Sequence, residues 1–442
     1  MKVKIIGAGL AGSEAALQLA KRGIEVDLYE MRPVKMTGAH TTEKLAEFVC
    51  SNSMGSYDLS VASGLLKKEM ELLGSELIKI AFDVKVPAGN ALAIDREEFS
   101  KRVTELIEEN PLINLIREEV DEIPDGDVII ASGPLTSDSM AKSIQDFTQE
   151  EHLHFFDAVA PIVEKDSINF DKAFYGSRYD KGEASYINCP MNREEYEKFY
   201  NILINAERIE LKEFEKNAKF FESCLPVEVL GSRGVDTLRF GPMKPVGLVD
   251  KRTNEISYAV VQLRQDNALK TLYNLVGFQT NLKWSFQKEL IHSIPGLENA
   301  NIVRYGVMHR NTFINSPKIL TNKLNTKKRE NLFFAGQITG VEGYTESMAS
   351  GLIAGINMAK RLKGESMLEL PSECILGALL NYITDENHKQ LQPVNSNWAL
   401  INNIELPKKI RKDKKAKAEI LANRSLEALN GVLNTLWEIK LL

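Results

Sequence analysis

The sequence is poor in cysteine. It has four cysteines among 442 residues, and none of them belongs to a CxxC pair. Neither a zinc site built on paired cysteines nor a thioredoxin-like redox pair is therefore indicated. The cysteines are Cys50, Cys189, Cys224 and Cys374, which lie far apart in the chain. We expect free thiols in a reducing compartment, and no metal site.

Long apolar runs are also missing. No stretch of about 18 apolar residues occurs, so the sequence predicts no membrane-spanning helix. The N-terminal MKVKIIGAGLAG lacks the charged region, long apolar core and cleavage site of a signal peptide. These two observations predict a cytoplasmic protein without a membrane partner.

The sequence has no excess of positive charge, since its formal net charge is −6. Any binding of nucleic acid must therefore use a local basic surface. Such a concentration occurs near the C-terminus, where seven of the ten residues from 408 to 417 are Lys or Arg. The run fits either a solvated helix face or a contact with RNA phosphates, and both interpretations stay open.

A glycine-rich motif at the N-terminus is the strongest local signal. The strand-like KVKII leads into GAGLAG, which is followed by an amphipathic helical stretch and by the second strand-like stretch IEVDLYE. Glycines at 7, 9 and 12 fit G-x-G-x-x-G, and Glu30 follows about 20 residues on, as in dinucleotide-binding proteins. Gly7 permits the tight turn, Gly9 the approach of a pyrophosphate, and Gly12 close packing of helix on strand. Glu30 can accept hydrogen bonds from a ribose.

The rest of the chain alternates between two patterns. Residues 64–80 show helical periodicity, a helix is predicted from about 96 to 109, and residues 125–134 read as a buried strand. The character changes between about 145 and 300, which predicts an inserted domain. Residues 331–361 return to a strand, a glycine-rich turn and a helix rich in small residues. Such a return is typical of proteins that close over the flavin end of FAD; a helix shaped only by packing is the alternative.

Several long blocks, in order along nearly the whole chain, point to one family. They include EMRPVKMTGAHTTEKLAEFVCSNS, CLPVEVLGSRGVDTLRFGPMKPVGL, YAVVQLRQDN and GQITGVEGYTESMASG. They resemble the TrmFO family, the folate- and FAD-dependent tRNA (uracil-5-)-methyltransferases among the GidA-like flavoproteins. The resemblance implies an α/β fold: an FAD-binding Rossmann-type domain with an inserted α+β domain and a helical C-terminal tail. The expected domains are the FAD-binding domain in two parts (1–145 and 301–365), the insertion (146–300) and the C-terminal helical segment (366–442).

The resemblance also implies an activity. Members of the family methylate C5 of uridine 54 in the tRNA T-loop. The carbon comes from 5,10-methylenetetrahydrofolate, and FAD reduced by NADH or NADPH supplies reducing equivalents. S-adenosylmethionine is not the donor. The expected partners are therefore tRNA, the folate and a nicotinamide cofactor.

Residue roles follow from matching positions in the family. Cys224 matches the cysteine that attacks C6 of the uridine, Cys50 matches a cysteine near the flavin that is implicated in general-base work, and Tyr344 matches a tyrosine near the isoalloxazine. The residues expected to bind the cofactor are Gly7, Ala8, Gly9, Leu10, Ala11, Gly12, Glu30, Arg32, Gly336, Gln337, Glu342 and Gly343. Arg233, Arg239 and Lys244 are candidates for binding folate glutamate or RNA phosphate, or they form structural ion pairs. Cys189 and Cys374 match no functional position and are interpreted as structural.

Two stretches depart from the family pattern. Gly55 stands where the family commonly has an arginine, and VEVLGSRG replaces the commoner IEVMAERG. Both changes remove charge close to the proposed site. Two alternatives therefore stay open: the same chemistry on a uridine of 23S ribosomal RNA, and a flavin oxidoreductase with no RNA substrate.

Overall fold

The structure is a computed structural model, and it describes residues 2–150, 153–158, 160–180, 183–209, 225–250, 252–253, 256–306, 308–388, 391–401, 410 and 413–438. The strands are β1 (Lys2–Ile6), β2 (Glu25–Glu30), β3 (Ser53–Ser56), β4 (Lys85–Val86), β5 (Ala91–Ile94), β6 (Ile113–Arg117), β7 (Val128–Ile130), β8 (Leu153–Ala158), β9 (Ile162–Glu164), β10 (Phe174–Gly176), β11 (Tyr186–Met191), β12 (Ala259–Gln265), β13 (Leu272–Leu275), β14 (Ile302–Arg304), β15 (Met308–Phe313) and β16 (Leu332–Phe334). The helices are α1 (Leu10–Ala20), α2 (Ala62–Leu72), α3 (Glu76–Asp83), α4 (Arg96–Glu108), α5 (Asp138–Thr148), α6 (Arg193–Asn205), α7 (Val227–Ser232), α8 (Thr237–Phe240), α9 (Trp284–His292), α10 (Ser316–Ile319), α11 (Tyr344–Leu362), α12 (Ile375–Thr384) and α13 (Lys414–Glu438).

A five-stranded parallel sheet has the order β16-β7-β1-β2-β6. We call this sheet, together with the helices α1–α5 and α11 and the strands β3 and β5 that share its hydrophobic core, the first layer. β7 and β16 are short apolar runs with both faces covered, as is common in parallel sheets; Val128, Ile129 and Ile130 of β7 are fully buried. β16 joins this sheet beside β7 although some 200 residues separate the two strands. The chain therefore returns after the insertion to complete the sheet that it began at its N-terminus.

The insertion is built on a six-stranded sheet in the order β10-β11-β12-β13-β9-β14. Its neighbouring strands are antiparallel, and α6, α7 and α9 cover one face with apolar side chains. The other face carries polar side chains, namely Asn188, Gln262, Arg264 and Asn274. This polar face is turned toward the first layer, since Arg264 and Asn274 both donate to Asn52. The parallel sheet, the inserted α+β part and the C-terminal helices confirm the predicted fold class, while the domain boundaries stay a prediction.

The predicted helical segment 64–80 is corrected in one respect, because two helices replace it. α2 ends at Leu72 and α3 begins at Glu76. Gly74 between them has φ +82°, and Ser75 caps α3 by accepting a hydrogen bond from Ile78 N. A helical period continues across the break, but a left-handed residue followed by an N-cap ends one helix and starts another.

The two C-terminal helices, α12 and α13, are joined to the first layer by hydrogen bonds to one buried carboxylate. Glu69 of α2 is fully buried and accepts hydrogen bonds from Ile375 N and Leu376 N, both at 2.8 Å. These are first-turn N–H groups of α12, which have no partner within their own helix. Ser425 of α13 donates to the same carboxylate at 2.5 Å. Within the described residues, no helix has the length and apolar character needed to cross a membrane.

Candidate active site

The glycine-rich turn after β1 is closely packed at two of its three glycines, where a larger side chain would not fit. Gly7 has φ +97°, and a Cβ there would lie 2.7 Å from the carbonyl oxygen of Ala131. A Cβ on Gly12 would lie 1.8 Å from Gly7 O, so α1 packs directly on the turn. A Cβ on Gly9 would meet nothing within 4 Å. The turn is therefore closed on the protein side and open at Gly9, where a ligand can approach the backbone.

A cleft lies in front of this turn. It runs between the start of α1, the end of β2, the loop 131–137 and the segment 336–347. Leu10 and Ala11 line it, and the N–H groups in the first turn of α1 have no partner within the helix. A helix N-terminus of this kind favours phosphate through its N–H groups and dipole. The cleft thus fits the phosphates of a dinucleotide.

An ionised carboxylate stands at the end of β2, beside the cleft. Glu30 accepts from Ala8 N at 3.2 Å and from Arg32 Nε at 2.9 Å. Burial raises the pKa of Glu30, but the hydrogen bond and charge of Arg32 outweigh burial and leave this pKa below its ordinary value. Arg32 is itself buried and also pairs with Glu47 at 3.1 Å. Glu30 therefore offers a fixed negative acceptor to a ribose, and Arg32 holds that acceptor in place.

The segment after β16 forms the opposite side of the cleft. Gly336 and Gln337 line the cleft, and Gly336 has φ +85°. Neither Glu342 nor Gly343 is among the described residues that line the cleft. Glu342 is buried and accepts a hydrogen bond from Gln337 Nε2 at 2.7 Å, while Gly343 caps α11 with φ +114°. Glu342 therefore holds the side chain of Gln337, and Gly343 precedes the helix whose first residue, Tyr344, lines the cleft.

The small residues of α11 serve helix packing. A Cβ on Gly351 would lie 2.2 Å from Ala11 O, and one on Gly355 would lie 2.8 Å from Ala15 O. The close approach suggested by these glycines is therefore made by α1 and not by a cofactor. The packing alternative is right for these two positions, and it fixes the N-terminus of α11 relative to that of α1.

Cys50 and Tyr344 are brought together although 294 positions separate them. The backbone N–H of Cys50 donates to the Tyr344 hydroxyl at 2.6 Å. Tyr344 begins α11 and lines the cleft, and its ring packs on Phe48 with ring centroids 4.2 Å apart. Cys50 is half-buried. The structure thus places this thiol beside the dinucleotide cleft.

Two arginines that the sequence reasoning missed hold the backbone in front of Cys50. Arg96 Nη1 donates to Phe48 O at 3.3 Å, and Arg304 Nη2 donates to Val49 O at 2.8 Å. The next backbone group, the N–H of Cys50, donates to the Tyr344 hydroxyl. Residues 48, 49 and 50 are therefore each held by a side chain from a different element. We call Arg96, Arg304 and Tyr344 the Cys50 frame.

Asn52, two residues after Cys50, is the centre of a buried network. It is fully buried, and its Nδ2 donates to Ile94 O and Gln265 O at 3.0 and 2.9 Å. Its Oδ1 accepts from Arg264 Nε and Asn274 Nδ2, each at 3.1 Å. The network joins the Cys50 segment to the insertion sheet. The signal in the sequence was the alternation of polar residues in VVQLRQ, on a strand that is otherwise apolar.

The remaining thiols behave differently. Cys224 lies outside the described residues; the next residue, Leu225, is buried. Cys189 and Cys374 are fully buried, and burial raises the pKa of both thiols, that of Cys374 to about 12. A thiol that ionises only at high pH is a poor nucleophile. This agrees with the structural interpretation of Cys189 and Cys374.

The three basic candidates of the insertion do not line the cleft in the part of the chain that is described. Arg239 pairs with Asp236 at 2.6 Å, and its guanidinium lies 3.5 Å from the ring centroid of Tyr258. Arg233 and Lys244 are exposed. Arg239 is therefore occupied as a structural ion pair, and any anion binding by the other two residues stays a prediction. No group of three or more His, Cys, Asp or Glu side chains in the described ranges could hold a metal ion.

The fold and the cleft define a dinucleotide-binding protein of the Rossmann type with an inserted antiparallel sheet. The family model described as "Glucose inhibited division protein A" matches residues 2–366. The chain is 57% identical over 432 residues to "Methylenetetrahydrofolate--tRNA-(uracil-5-)-methyltransferase TrmFO" of Bacillus cytotoxicus, covering 98% of this chain and 99% of that protein. It is 58% identical over 429 residues to the protein of the same name from Brevibacillus brevis, covering 97% of each. The chain belongs to the GidA family and, within it, to the TrmFO family.

Solved structures agree with the fold. Aquifex aeolicus GidA, in two crystal forms, superposes on this chain with a TM-score of 0.67. The alignment covers 99% of this chain and 76 or 79% of that protein, at 17 or 18% identity. At this identity the likeness supports the fold alone, and it places the parallel sheet with an inserted domain in the same architecture.

Proposed function

We propose that this protein methylates C5 of uridine 54 in the T-loop of tRNA. The carbon donor is 5,10-methylenetetrahydrofolate, and FAD reduced by NADH or NADPH provides the electrons that turn the transferred carbon into a methyl group. The observation that carries the proposal is the position of Cys50: a half-buried thiol, held by a dedicated frame, beside a cleft that fits a dinucleotide. The names of the relatives, at 56 to 58% identity, support the same reaction.

The described residues fit FAD. The open backbone at Gly9 and the N-terminus of α1 would take the pyrophosphate, and the ionised Glu30 would take the adenosine ribose. Gly336 and Gln337 would lie toward the flavin end, on the side of the cleft where Tyr344 also lies. When bound there, FAD supplies the reducing equivalents.

The chemistry explains the need for a second thiol. C5 of uracil is a poor nucleophile, but addition of a thiolate to C6 turns the ring into an enolate. C5 can then form a bond to the methylene carbon, whose bond to nitrogen must break, and two electrons and a proton must be added to this carbon to complete the methyl group. A base must afterwards remove the proton from C5, and the thiolate leaves C6 as the double bond forms again. We assign the attack on C6 to Cys224 and the proton removal to Cys50, because thiolates are strong nucleophiles and competent bases near neutral pH.

The test uses the purified flavoprotein with an unmodified tRNA transcript, NADH and methylenetetrahydrofolate labelled in the transferred carbon. We expect label at C5 of the T-loop uridine without S-adenosylmethionine. Cys224→Ala should abolish both methylation and covalent RNA adducts while the flavin stays bound. Cys374→Ala, which removes a fully buried thiol away from the cleft, is the matched control and should keep turnover. Label that reaches RNA only from S-adenosylmethionine would refute the proposal.

The alternative target is tested in the same experiment. If labelled carbon enters a uridine of 23S ribosomal RNA and not the tRNA transcript, the chemistry stands and the target is wrong. If the protein oxidises NADH but labels neither RNA, and RNA binds without the salt dependence of phosphate contacts, the flavin oxidoreductase alternative replaces the proposal.

A further inference from the structure

A stacked pair of aromatic side chains stands at the surface of the insertion. The rings of Trp284 and Tyr305 have centroids 5.3 Å apart and an interplanar angle of 14°. Trp284 is 59% exposed, although tryptophan has the largest side chain of the standard amino acids. Tyr305, on which it stacks, is half-buried. Nothing in the fold requires an indole at this place, since the N-terminal residue of a helix needs no apolar side chain. A flat, supported and exposed ring is a suitable surface for stacking another ring.

The first reason to connect this pair with the active site is the residue beside it. Tyr305 directly follows Arg304, whose Nη2 holds Val49 O at 2.8 Å and Ala39 O at 3.3 Å as part of the Cys50 frame. The backbone that carries the lower ring therefore also carries the guanidinium that fixes the segment leading to Cys50. The lower ring of the pair and the Arg304 guanidinium thus belong to consecutive residues, at and directly after the end of edge strand β14.

The second reason concerns the residues on both sides of the segment that contains Cys224. Before that segment, Ile209 N donates to Asn281 O at 2.9 Å; after it, Val227 N donates to Gln279 O at 2.7 Å. Both anchors are within five residues of Trp284, on the stretch that leads into α9. Trp284 is therefore close in the chain to the described anchors of one proposed catalytic thiol, and Tyr305 directly follows a residue of the frame of the other.

Charge around the pair suits a nucleic acid. Lys288 is exposed one helical turn after Trp284, and side chains four apart on a helix share a face. Arg208 is exposed on the chain that pairs with Leu282. Lys283 is paired with Glu207, so its charge is partly compensated. A ring to stack on, with cations beside it, is the combination that proteins use to bind unpaired nucleotides.

We infer that Trp284, supported by Tyr305, is a stacking platform for an unpaired base of the RNA substrate. This inference rests on the proposed function, because it names the surface that receives the RNA. The platform holds a base next to the target uridine and so presents that uridine to the two thiols. It binds by ring stacking and does not depend on the identity of the base.

The experiment measures binding of the unmodified tRNA transcript to the holoprotein over a range of salt concentrations. Trp284→Ala should weaken binding by about 5- to 150-fold, the effect of removing one stacked aromatic. The slope of affinity against salt should not change, because no phosphate contact is lost. Trp284→Phe should recover most of the affinity. In a variant with Trp398→Phe and Trp437→Phe, the fluorescence of the remaining Trp284 should be quenched by the transcript.

The chain offers a matched control at the opposite edge of the same sheet. Phe170 and Tyr175 form another stacked pair, with centroids 5.4 Å apart and an angle of 18°, and Tyr175 is 43% exposed. Tyr175 is on edge strand β10, while the platform follows edge strand β14, so about 24 Å separates the two edges at ~4.8 Å per strand. Tyr175→Ala should leave RNA affinity unchanged.

Two results would overturn the inference. One is unchanged RNA affinity of Trp284→Ala. The other is quenching of Trp284 by the folate alone, with a raised KM for folate and normal RNA binding, which would assign the platform to the folate ring. If the wild-type protein places no labelled carbon in any RNA, the proposed function itself fails. If it does so while Trp284→Ala binds RNA normally, only the platform is wrong.

Discussion

The buried ion pair between Arg96 and Asp266 joins the first layer to the insertion. Arg96 Nη2 lies 2.5 Å from Asp266 Oδ2, and the two side chains are only 10 and 6% exposed. Removing one partner of such a pair leaves an uncompensated buried charge, which costs about 3–5 kcal/mol. We therefore expect Arg96→Met and Asp266→Asn each to lower the free energy of unfolding by about that amount.

The double variant Arg96→Met with Asp266→Asn distinguishes the cost of an unpaired buried charge from the loss of the contacts that Arg96 makes. It buries no unpaired charge, so its loss of stability should be smaller than the sum of the two single losses by about 2 kcal/mol or more. Phe48 O, however, still lacks its donor from Arg96. We expect the double variant to recover much of its stability while the Cys50 segment stays loosened. Alkylation of Cys50 by iodoacetamide should then be faster than in the wild-type protein.

The assay is urea unfolding followed by circular dichroism, with the rate of Cys50 alkylation measured by mass spectrometry. The matched control is Arg102→Met on the same helix, whose pair with Glu98 spans 2.8 Å but is 44 and 39% exposed. That change should cost no more than about 0.5 kcal/mol. A stabilising role of the buried pair would be refuted if Arg96→Met costs no more than the control, or if the double variant loses the full sum of the single losses.

Three further predictions use other parts of the structure. Gly351→Ala should lower the free energy of unfolding by about 1–3 kcal/mol and weaken flavin retention, because the added Cβ would collide with α1. Its control is Gly431→Ala in α13, where an added Cβ meets nothing. This change should raise the free energy of unfolding by about 0.5–1 kcal/mol in the same urea assay. Burial raises the pKa of Glu69 to about 7. The contribution of protonated Glu69 to the free energy of unfolding is therefore fully present below pH ~4.5, the ordinary pKa of Glu, and is lost as the pH rises through 7. The cost of Glu69→Gln, measured by urea unfolding at pH 5 and pH 8, should therefore shrink by up to about 3 kcal/mol at the higher pH, and an equal cost at both would contradict the shift. Tyr344→Phe removes the acceptor of the Cys50 N–H, worth about 1 kcal/mol, and should slow methyl transfer about fivefold with the flavin absorbance unchanged; unaltered turnover would remove Tyr344 from the frame.

Much of the first layer was readable from the sequence because its signals are local. A strand, a glycine turn, a helix and an acid at fixed spacing define the beginning of a dinucleotide fold, and Gly7, Gly12 and Glu30 occupy the expected places. The requirement for glycine in this turn is steric and involves residues that are close in the chain. The spacing of the glycines in the sequence therefore predicts it. The same is true of the strand and glycine turn near residue 336, although its helix glycines proved to serve packing against α1.

The candidate site depended on contacts that no local pattern shows. The Cys50 frame joins residues 48–50 to Arg96, Arg304 and Tyr344, and the network of Asn52 reaches strands more than 200 positions away. A guanidinium in the sequence indicates only charge; its partner is decided when the insertion sheet turns its polar face toward the first layer. The break at Gly74 and the pairing of Arg239 with Asp236 were likewise decided by backbone conformation and by neighbours in space.

The sequence by itself therefore determined the dinucleotide motif, which follows from residue types at fixed spacing, and the family, which follows from the resemblance of long blocks along the chain. Only the tertiary structure decided that Cys50 stands at the cleft on a backbone held from three sides, and that Cys189 and Cys374 are sealed in the core. The physical reason is that a thiol's reactivity depends on burial and on nearby charge, and both arise when distant segments pack together.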